Sequence, residues 1–248
     1  MNFKIDYYFT EIEKDEIFYK LTNNKKEVME IFDASSEIIN GINDKNKQEI
    51  NTNKIGDNVK IVGSVYIGEG TEIGNGCIIE GPVYIGKNCK LLYNAYIRPG
   101  TILGNDCVIG FCTEIKHTIM RDGSKVSDLA FVGDSIIGKN SRIGSGVIVA
   151  NRGFNQSNII VKDENKNPIN LNREVMGVVL GDNSRIGSNA TTSPGTFIGQ
   201  FTWIYPHTCI HGFIPSEKKV YDKQNLVFLE NEKKVLYKST EWNHENYS

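Results

Sequence analysis

The chain has 248 residues and a net charge of −2 at pH 7, with 39% hydrophobic and 23% charged residues. These values fit one main globular domain with appendages, and the charge gives no global basic field for a nucleic acid. No apolar run approaches the roughly 18 residues of a membrane span, and the N-terminus lacks the pattern of a secretory signal. We therefore expect a cytoplasmic protein without nucleic-acid or membrane partners.

Cysteine and histidine usage argues against a disulfide framework and against a metal site. The five cysteines are an odd number and include no CxxC pair of the kind that binds zinc. The four histidines are scattered along the sequence, at positions 117, 207, 211 and 244. We predict no metal cofactor, and the lack of paired cysteines is consistent with a reducing cytoplasm.

The first 50 residues predict a cap and a helix. Residues 1–24 are rich in aromatics but weakly periodic, which favours a small cap over the first coil of the repeats that follow. Residues 25–40 predict a helix with one apolar face, formed by Val28, Ile31, Phe32, Ile38 and Ile39. Asn24 with Glu27 is a possible capping pair at its start, and Gly41 a stop.

After a predicted polar linker over residues 42–54, the sequence repeats every six residues from Ile55 to 118. Ile or Leu opens each block, the fifth place holds a small or β-branched residue, and Gly or Asn crowds the places between. The opening residues are Ile55, Ile61, Ile67, Ile73, Ile79, Ile85, Leu91, Ile97, Leu103, Ile109 and Ile115. Eleven blocks in register are typical of a hexapeptide repeat, which forms a parallel β-helix.

One aliphatic residue in six suits neither an isolated α-helix nor a long strand of period two. It suits a short strand that ends in a tight turn, with the aliphatic and the small residue inside and Gly or Asn at the corner. No coil buries its apolar face alone, so stacked coils form the core. Cys77, Cys89 and Cys107 fall at the inward fifth place, where cysteine acts as a small apolar residue.

Two interruptions break the period. Residues 119–136 keep inward aliphatics but lose strict sixes; a slipped polar coil in a regular solenoid is where we expect a functional site, with a harmless insertion as the alternative. Residues 155–176 are too long and polar for a corner, so they predict a projecting loop or hairpin. The sixes return at Leu180, and residues 215–248 predict a C-terminal cap or arm. The predicted β-helix domain is therefore 51–214.

Several stretches of the repeat region resemble a known family. They are NAYIRPGT at 94–101, EIK at 114–116, FVGDSIIGKN at 131–140, IGSGVIVAN at 143–151 and GVVLGDNSRIGSNATTSPGTFIG at 177–199. They are similar to the C-terminal acetyltransferase domain of the bifunctional N-acetylglucosamine-1-phosphate uridyltransferase, and more similar to its archaeal sugar-phosphate nucleotidylyltransferase relatives. The resemblance covers roughly residues 26–214 and includes no nucleotidyltransferase domain.

The resemblance implies an all-β fold, a left-handed parallel β-helix of the LpxA-like class that assembles as a homotrimer. It also implies active sites in the clefts between subunits. The implied reaction transfers an acetyl group from acetyl-CoA, or another acyl group from its acyl-CoA, to a small phosphorylated sugar.

The resemblance assigns a substrate-binding set on the β-helix. Arg98 and Lys116 match the basic pair that holds the sugar phosphate, a task that suits a planar guanidinium and a point-charge ammonium. Glu114 accompanies Lys116 in the EIK motif. Phe131 and Arg142 stand where the family has a substrate tyrosine and a substrate asparagine. Ordinary surface charge is the alternative for the basic pair.

A second implied set binds the acyl donor. Asn151 matches an asparagine beside the acetyl site, and Ser188 matches a serine near the donor thioester. Arg152 stands where the family has an aromatic residue, and Pro206 in the last coil completes the predicted donor-binding set.

Asp128 stands in the place of the family's catalytic histidine, within SDLAFVGD. A carboxylate is a weaker base than an imidazole at neutral pH, so Asp128 acts as the base only if burial raises its pKa, or it orients another base. His117, which directly follows Lys116, is the second catalytic candidate, in the cleft of a neighbouring subunit.

The sequence leaves two functions open. The first is an acyl-CoA-dependent transferase that acts on a sugar phosphate or a nucleotide-linked sugar. The second is a non-catalytic module that binds a sugar nucleotide or serves assembly, which would account for the replaced histidine. The sugar, the acyl chain and the choice between N- and O-acylation are not predicted.

Overall fold

Short strands succeed one another along most of the chain in the computed structural model, which describes residues 2–43, 48–162 and 165–223. The first strands are β1 Gln48–Ile50, β2 Lys60–Val62, β3 Val65–Ile67, β4 Glu72–Ile73, β5 Ile78–Glu80, β6 Val83–Ile85, β7 Lys90–Leu91, β8 Tyr96–Ile97, β9 Ile102–Leu103, β10 Val108–Ile109, β11 Glu114–Lys116, β12 Ile119–Met120, β13 Lys125–Val126 and β14 Phe131–Gly133. The later strands are β15 Ile136–Ile137, β16 Arg142–Ile143, β17 Ile148–Val149, β18 Ile160–Lys162, β19 Pro168–Asn170, β20 Val178–Leu180, β21 Arg185–Ile186, β22 Thr191–Thr192, β23 Thr196–Ile198, β24 Trp203–Ile204, β25 Cys209–Ile210, β26 Phe213–Ile214 and β27 Lys219–Val220.

The strands stack into three parallel sheets, which are the three faces of a prism. Face I has the order β1-β3-β6-β9-β12-β15-β20-β23-β26, face II the order β27-β24-β21-β16-β13-β10-β7-β4, and face III the order β2-β5-β8-β11-β14-β17-β22-β25. Each coil runs from face III to face I to face II. The parallel β-helix predicted from the six-residue period is confirmed.

The interior of the prism is built from the residues that the repeat predicts. The aliphatic residues of successive blocks stack above one another and are buried, as Ile79, Ile97 and Ile115 show in face III. The three fifth-place cysteines are buried too, whereas Cys112 and Cys209 are exposed. Because each coil buries its apolar residues only against its neighbours, the core is a continuous column.

The slipped stretch is a regular part of the solenoid with shorter corners. Ile97 pairs with Ile115, eighteen residues on, but Leu103 pairs with Met120 and Ile115 with Val132, only seventeen residues on. Each of these coils is therefore one residue shorter than the regular eighteen, and a corner, not a strand, is the part that is shorter. The inward aliphatics stay in register, which explains why the sequence keeps them while losing strict sixes.

Strand pairing extends beyond the predicted domain bounds of 51–214. Residues assigned to the linker form β1, which pairs with β3, and β27 pairs with β24. The rest of the predicted C-terminal cap or arm, residues 224–248, lies outside the described residues.

The insertion at 155–176 forms an antiparallel hairpin of β18 and β19, as the sequence predicted for this segment. Its base is a bridge between Arg152 and Val175. The hairpin leaves the prism between faces III and I, and it folds back instead of projecting freely, because Ile159, Val161 and Leu171 are buried against face I and the helices.

The N-terminal helices are α1 Ile5–Tyr8, a 3₁₀ turn Ile12–Lys14, α2 Glu16–Thr22 and α3 Val28–Asn43. They do not cap the first coil, which corrects the sequence-based expectation. They cover the outer side of face I instead, where Tyr8 and Phe18 pack in one cluster with outward-facing Ile119, Ile136 and Phe197. The outward positions of face I are large and apolar, so this side needs a cover.

The predicted ends of α3 also change. The Glu30 carboxylate accepts hydrogen bonds from the backbone amides of Lys26 and Glu27, so Glu30 caps the start of this helix in place of the expected Asn24–Glu27 pair. Asn24 adopts a left-handed φ of 60° ahead of the helix. Gly41 lies within α3 and does not stop it.

A buried arginine joins the helices to the solenoid at the corner between faces I and II. Arg121 is fully buried and donates two hydrogen bonds to the Asp182 carboxylate, at 2.9 and 2.8 Å. It also donates to Asp15 and to the Thr10 carbonyl of the N-terminal segment. Its guanidinium lies 4.5 Å from the centre of the Phe18 ring. These contacts of Arg121 thus link residues that are far apart in sequence.

Candidate active site

Three polar residues stack at the corner between faces III and I. His117 follows β11, Asp134 follows β14 and Asn151 lies two residues beyond β17, so that all three occupy the same position on successive coils. The spacing is seventeen residues in both steps, the length of the shortened coils. Neighbouring parallel strands lie about 4.8 Å apart, which brings each side chain within reach of the next.

Asp134 is the centre of this corner cluster. Its side chain is only 6% exposed, and its two carboxylate oxygens lie 3.1 Å from Nδ1 of His117, 3.3 Å from Nζ of Lys116 and 2.5 Å from Nδ2 of Asn151. Burial opposes its ionisation, but the hydrogen bonds from His117 and Asn151 and the charge of Lys116 outweigh burial and hold the pKa of Asp134 below its ordinary value. The carboxylate is therefore charged at neutral pH.

The imidazole of His117 is held at one nitrogen and open at the other. Nδ1 faces Asp134, and the side chain is 38% exposed. The backbone of His117 has a left-handed φ of 45°. Gly100, on the coil before, leaves room for the ring, because a Cβ atom there would lie 2.4 Å from Cδ2 of His117. A histidine whose Nδ1 is oriented by a carboxylate is suited to proton transfer at Nε2.

Both predicted phosphate-binding cations form ion pairs within the chain. Arg98 donates from Nη1 to Glu114 at 2.7 Å, and Lys116 pairs with Asp134. Both remain about one-third exposed on face III. Each cation is thus paired on one side and open to the solvent on the other, an arrangement that fits a phosphate-binding site and also fits ordinary surface charge.

The wall of the cluster is formed by small and aromatic residues of β14. Phe131 lies on the same strand as Gly133, and a Cβ atom at Gly133 would meet Nδ2 of Asn151 at 2.8 Å and the Phe131 ring at 3.0 Å. Gly133 therefore makes room for the hydrogen bond between Asn151 and Asp134. Neither Asp134 nor Gly133 was predicted as a site residue, although both lie in the FVGD stretch at 131–134.

Arg152 lies at the stem of the hairpin. Its bridge with Val175 is followed by a hydrogen bond from the Met176 amide to the Asn151 carbonyl, and the Gly177 amide donates to the Asp134 carbonyl. The chain thus leaves and re-enters the solenoid directly beside the cluster, and the Arg152 side chain is exposed there.

The other predicted site residues lie at the opposite edge of face III, at the corner between faces II and III. Asp128 is half-buried, and its Oδ1 accepts a hydrogen bond from the Phe111 amide at 2.9 Å. Asn75 makes the same contact to the Asp57 amide at its own corner. Asp128 thus occupies a place that side-chain oxygens fill elsewhere in the solenoid to bind the backbone of the preceding coil.

Ser188, Pro206 and Arg142 line one groove of about 320 Å³ on this side of the prism. Its polar and aromatic lining is completed by Arg185, Trp203 and Tyr205, which were not among the predicted site residues. His207 lies at the next groove along, with Tyr221.

The predicted site residues therefore fall into two groups within one chain. Arg98, Glu114, Lys116, His117, Phe131, Asn151 and Arg152 lie on face III or at its corner with face I, and Asp128, Arg142, Ser188 and Pro206 lie at or near its corner with face II. Asp128 and Asp134 mark the two ends of β14. Asp134 is six positions after Asp128, so at about 3.3 Å per position they lie up to roughly 20 Å apart.

Two protein-family models match the repeat region of the chain. A family model described as the GMPPB C-terminal domain matches residues 79–169, and one described as the hexapeptide repeat of succinyl-transferase matches residues 176–200. This chain is a hexapeptide-repeat protein. The two matches cover most of the stacked coils on either side of the hairpin.

Curated relatives of this hexapeptide-repeat protein include bifunctional archaeal proteins. The bifunctional sugar-1-phosphate nucleotidylyltransferase/acetyltransferase of Sulfurisphaera tokodaii is 40% identical over 161 residues, which are 65% of this chain and 40% of the relative. The bifunctional protein GlmU of Methanococcus aeolicus is 33% identical over 198 residues, 80% of this chain and 46% of the relative. The chain thus spans less than half the length of these relatives.

Among solved structures, the UDP-N-acetylglucosamine acyltransferase of Francisella novicida aligns with 66% of this chain and 58% of its own, at 17% identity and a TM-score of 0.44.

Within the described ranges, no helix has the length and apolar character needed to cross a membrane. The same residues contain no group of three or more His, Cys, Asp and Glu side chains arranged for a metal ion.

Proposed function

We propose that the protein is an acyl-CoA-dependent transferase that acylates an amino or hydroxyl group of a phosphorylated or nucleotide-linked sugar, with His117 as the general base. The observation that carries this proposal is the corner cluster, in which the buried Asp134 carboxylate faces Nδ1 of His117 at 3.1 Å. The relatives include proteins named as acetyltransferases, which supports this class of reaction. A cytoplasmic location stays a prediction.

In the proposed reaction, the acceptor's amine or hydroxyl attacks the thioester carbonyl carbon while Nε2 of His117 takes its proton. The new C–N or C–O bond forms, the C–S bond breaks, and the proton passes to the departing thiolate to give free CoA. Asp134 stabilises the imidazolium during this step, because its lowered pKa keeps it charged. The Asp128 carboxylate lies at the other end of β14 and accepts a hydrogen bond from the Phe111 amide, whereas His117 presents Nε2 beside the cluster.

Lys116 and Arg98 are proposed to receive the acceptor's phosphate. Each already has a carboxylate partner, so an incoming phosphate would share the cation instead of meeting a bare charge. Lys116 can bridge Asp134 and a phosphate oxygen, since its ammonium has three donors. This sharing would link phosphate binding to the position of Asp134 and, through it, of His117.

We further propose that a second copy of the chain completes the site. The corner cluster and the predicted donor residues Ser188 and Pro206 lie at opposite edges of face III, and face I is covered by the chain's own helices. A homotrimer that brings the II/III corner of one copy to the III/I corner of the next would unite the two groups. Asp128 of the neighbouring copy would then lie at the same cleft.

The test is acyl transfer by purified His117→Ala and Asp128→Asn variants. Release of free thiol from acetyl-CoA is measured with a panel of amino- and hydroxy-sugar phosphates and their nucleotide-linked forms. We expect His117→Ala to lower turnover by a factor on the order of 10²–10⁴, the usual contribution of a general base. Asp128→Asn keeps an oxygen that can accept the Phe111 amide, so it should retain turnover.

His211→Ala is the matched control, because His211 is an exposed histidine that follows β25, four strands along face III from β11 and roughly 19 Å from His117. Loss of turnover in Asp128→Asn with full turnover in His117→Ala would reverse the assignment of the base. Binding of a sugar nucleotide without thiol release from any acyl-CoA would favour the non-catalytic alternative.

A further inference from the structure

Three cations lie side by side on the outer surface of face II. Lys125, Arg142 and Arg185 occupy the same register position on the neighbouring strands β13, β16 and β21. Neighbouring strands are about 4.8 Å apart, so their side chains stand in one row. Like charges placed directly opposite one another destabilise a sheet. This row therefore lowers the stability of the unliganded protein, and a bound anion would remove the repulsion.

No carboxylate in the described part of the chain forms an ion pair with these three side chains. The cations of face III differ in this respect, since Arg98 and Lys116 each have an acidic partner. The row on face II therefore has donors available for an anion, and two of them are the planar guanidiniums that bind phosphate with two hydrogen bonds.

An aromatic surface continues the row. Trp203 is the next residue in the same register, paired with Arg185, and its side chain is 44% exposed. Lys219 follows it, with Nζ 5.3 Å from the Trp203 ring centre, and Tyr205 lies beside it at 42% exposure. Arg142, Arg185, Trp203 and Tyr205 line the same groove of about 320 Å³.

We infer that this groove binds a nucleoside 5′-diphosphate group, with the base on Trp203 and the two phosphates on Arg185 and Arg142. Exposed aromatic rings stack on nucleobases, and every base offers a π face for this contact. One strand spacing separates the aromatic ring from the first guanidinium and a second spacing reaches the next. A single phosphate would leave part of the row unneutralised, which favours a diphosphate.

Both substrates of the proposed reaction can carry a nucleoside diphosphate, so the source of the ligand in this inference rests on the proposed function. The acyl donor contains an adenosine diphosphate, and a nucleotide-linked sugar acceptor contains a nucleoside diphosphate. The groove supports binding of either source, since a stacked base and a diphosphate are common to both.

The experiment measures quenching of Trp203 fluorescence and ligand-induced shifts of Tm in a Trp242→Phe background, which leaves Trp203 as the only tryptophan of the chain. The probes are ADP, UDP, dTDP, AMP, inorganic pyrophosphate, CoA and dephospho-CoA. We expect nucleoside diphosphates to bind more tightly than AMP or pyrophosphate, and Arg185→Gln to weaken them on the order of tenfold. Added salt should weaken binding as well.

The stability of the unliganded variants separates a binding role from a structural one. Removing one of three adjacent like charges should leave the unliganded Tm of Arg185→Gln unchanged or higher. Lys90→Gln is the matched control, because Lys90 lies in the same row two strands below Lys125 and outside the groove. A lower unliganded Tm with unchanged affinity in Arg185→Gln would overturn the inference, as would equal binding of pyrophosphate and nucleotides.

The source of the nucleotide follows from which probes bind. Tighter binding of CoA and ADP than of UDP and dTDP assigns the groove to the acyl donor, and the reverse order assigns it to the acceptor. If nucleotides bind but no acyl transfer occurs with any acceptor, the groove stands and the proposed function fails. If transfer continues in Arg185→Gln with unchanged KM for both substrates, the function stands and the groove assignment fails.

Discussion

At the scale of single residues, Asp134 organises the candidate site. It lies at a corner with a left-handed φ of 50°, where short polar residues are favoured, and it is nearly fully buried. A buried carboxylate is tolerated only when hydrogen bonds and charges compensate its desolvation. Here the compensating groups are also the groups that the proposed chemistry uses, so stability and activity share the same contacts.

This sharing predicts a pH-dependent stability. Asp134 has a lowered pKa in the folded protein, so its contribution is complete above the unfolded pKa of about 3.9 and is lost as the pH falls through the lower folded value. Asp134→Asn should lower Tm at pH 7 by roughly 5 °C, and the difference from the wild type should shrink below pH 4. Thermal unfolding between pH 3 and 8 measures it.

Asp106→Asn is the control for the loss of one carboxylate, because Asp106 is exposed and has a similar left-handed φ of 56°. A Tm difference for Asp134→Asn that stayed constant down to pH 3 would contradict the role assigned to its charge.

The sequence indicated many of these residues singly but not their grouping. His117, Lys116 and Asn151 were named as candidates, yet nothing in a six-residue pattern aligned them, because the common step is seventeen. That step appears only after the lost corner residue is recognised from the stacking of Leu103 on Met120. Asp128 was chosen on resemblance alone, and its backbone hydrogen bond depends on the corner geometry of a coil.

At the scale of elements, the N-terminal helices are joined to the solenoid by an apolar cluster over face I and by one buried ion-pair network. The Arg121 guanidinium satisfies two carboxylates and a backbone carbonyl in a fully buried setting. The aromatic rings of Phe9 and Phe18 lie over it. The partners lie more than 60 and 100 residues away in sequence, which is why local patterns predicted helices but placed them over the wrong surface.

Arg121→Ala should therefore destabilise the protein strongly. Removing the arginine leaves Asp182 and Asp15 buried without a counter-charge, a change that typically costs about 3–5 kcal/mol. The free energy of unfolding in urea measures the loss, and hydrogen exchange should increase first over residues 5–22. Lys139→Ala, which removes the partly exposed partner of the exposed Glu11 near the same corner, should change neither quantity noticeably. Equal effects of the two variants would contradict the importance of burial.

At the scale of the whole molecule, the exposed apolar residues are unevenly placed. Tyr93, Phe111 and Leu129 lie close together along the corner between faces II and III, and Leu129 is 60% exposed with a left-handed φ of 56°. A leucine in that conformation costs of order 1–3 kcal/mol, and most of this side chain is open to water in the isolated chain. This corner is where the proposed neighbouring copy would pack.

Leu129→Asp should accordingly break the proposed trimer and abolish acyl transfer while leaving the fold of each copy intact. Light scattering coupled to size exclusion should give three times the chain mass for the wild type and one chain mass for the variant. Tyr19→Asp is the control, because Tyr19 is 51% exposed but belongs to the helices over face I. A wild-type protein of one chain mass with full activity would rule out a shared site.

The helices over face I have a practical consequence for work on the repeats alone. A version of the protein without residues 1–43 would present Ile102, Ile119, Ile136, Val179 and Phe197 to water as one stripe running up the prism. Such an exposed apolar stripe favours non-specific association, so the shortened protein should aggregate or precipitate even though every coil can still form. Fragments made to study the solenoid therefore need their helical coat, or polar replacements along that stripe.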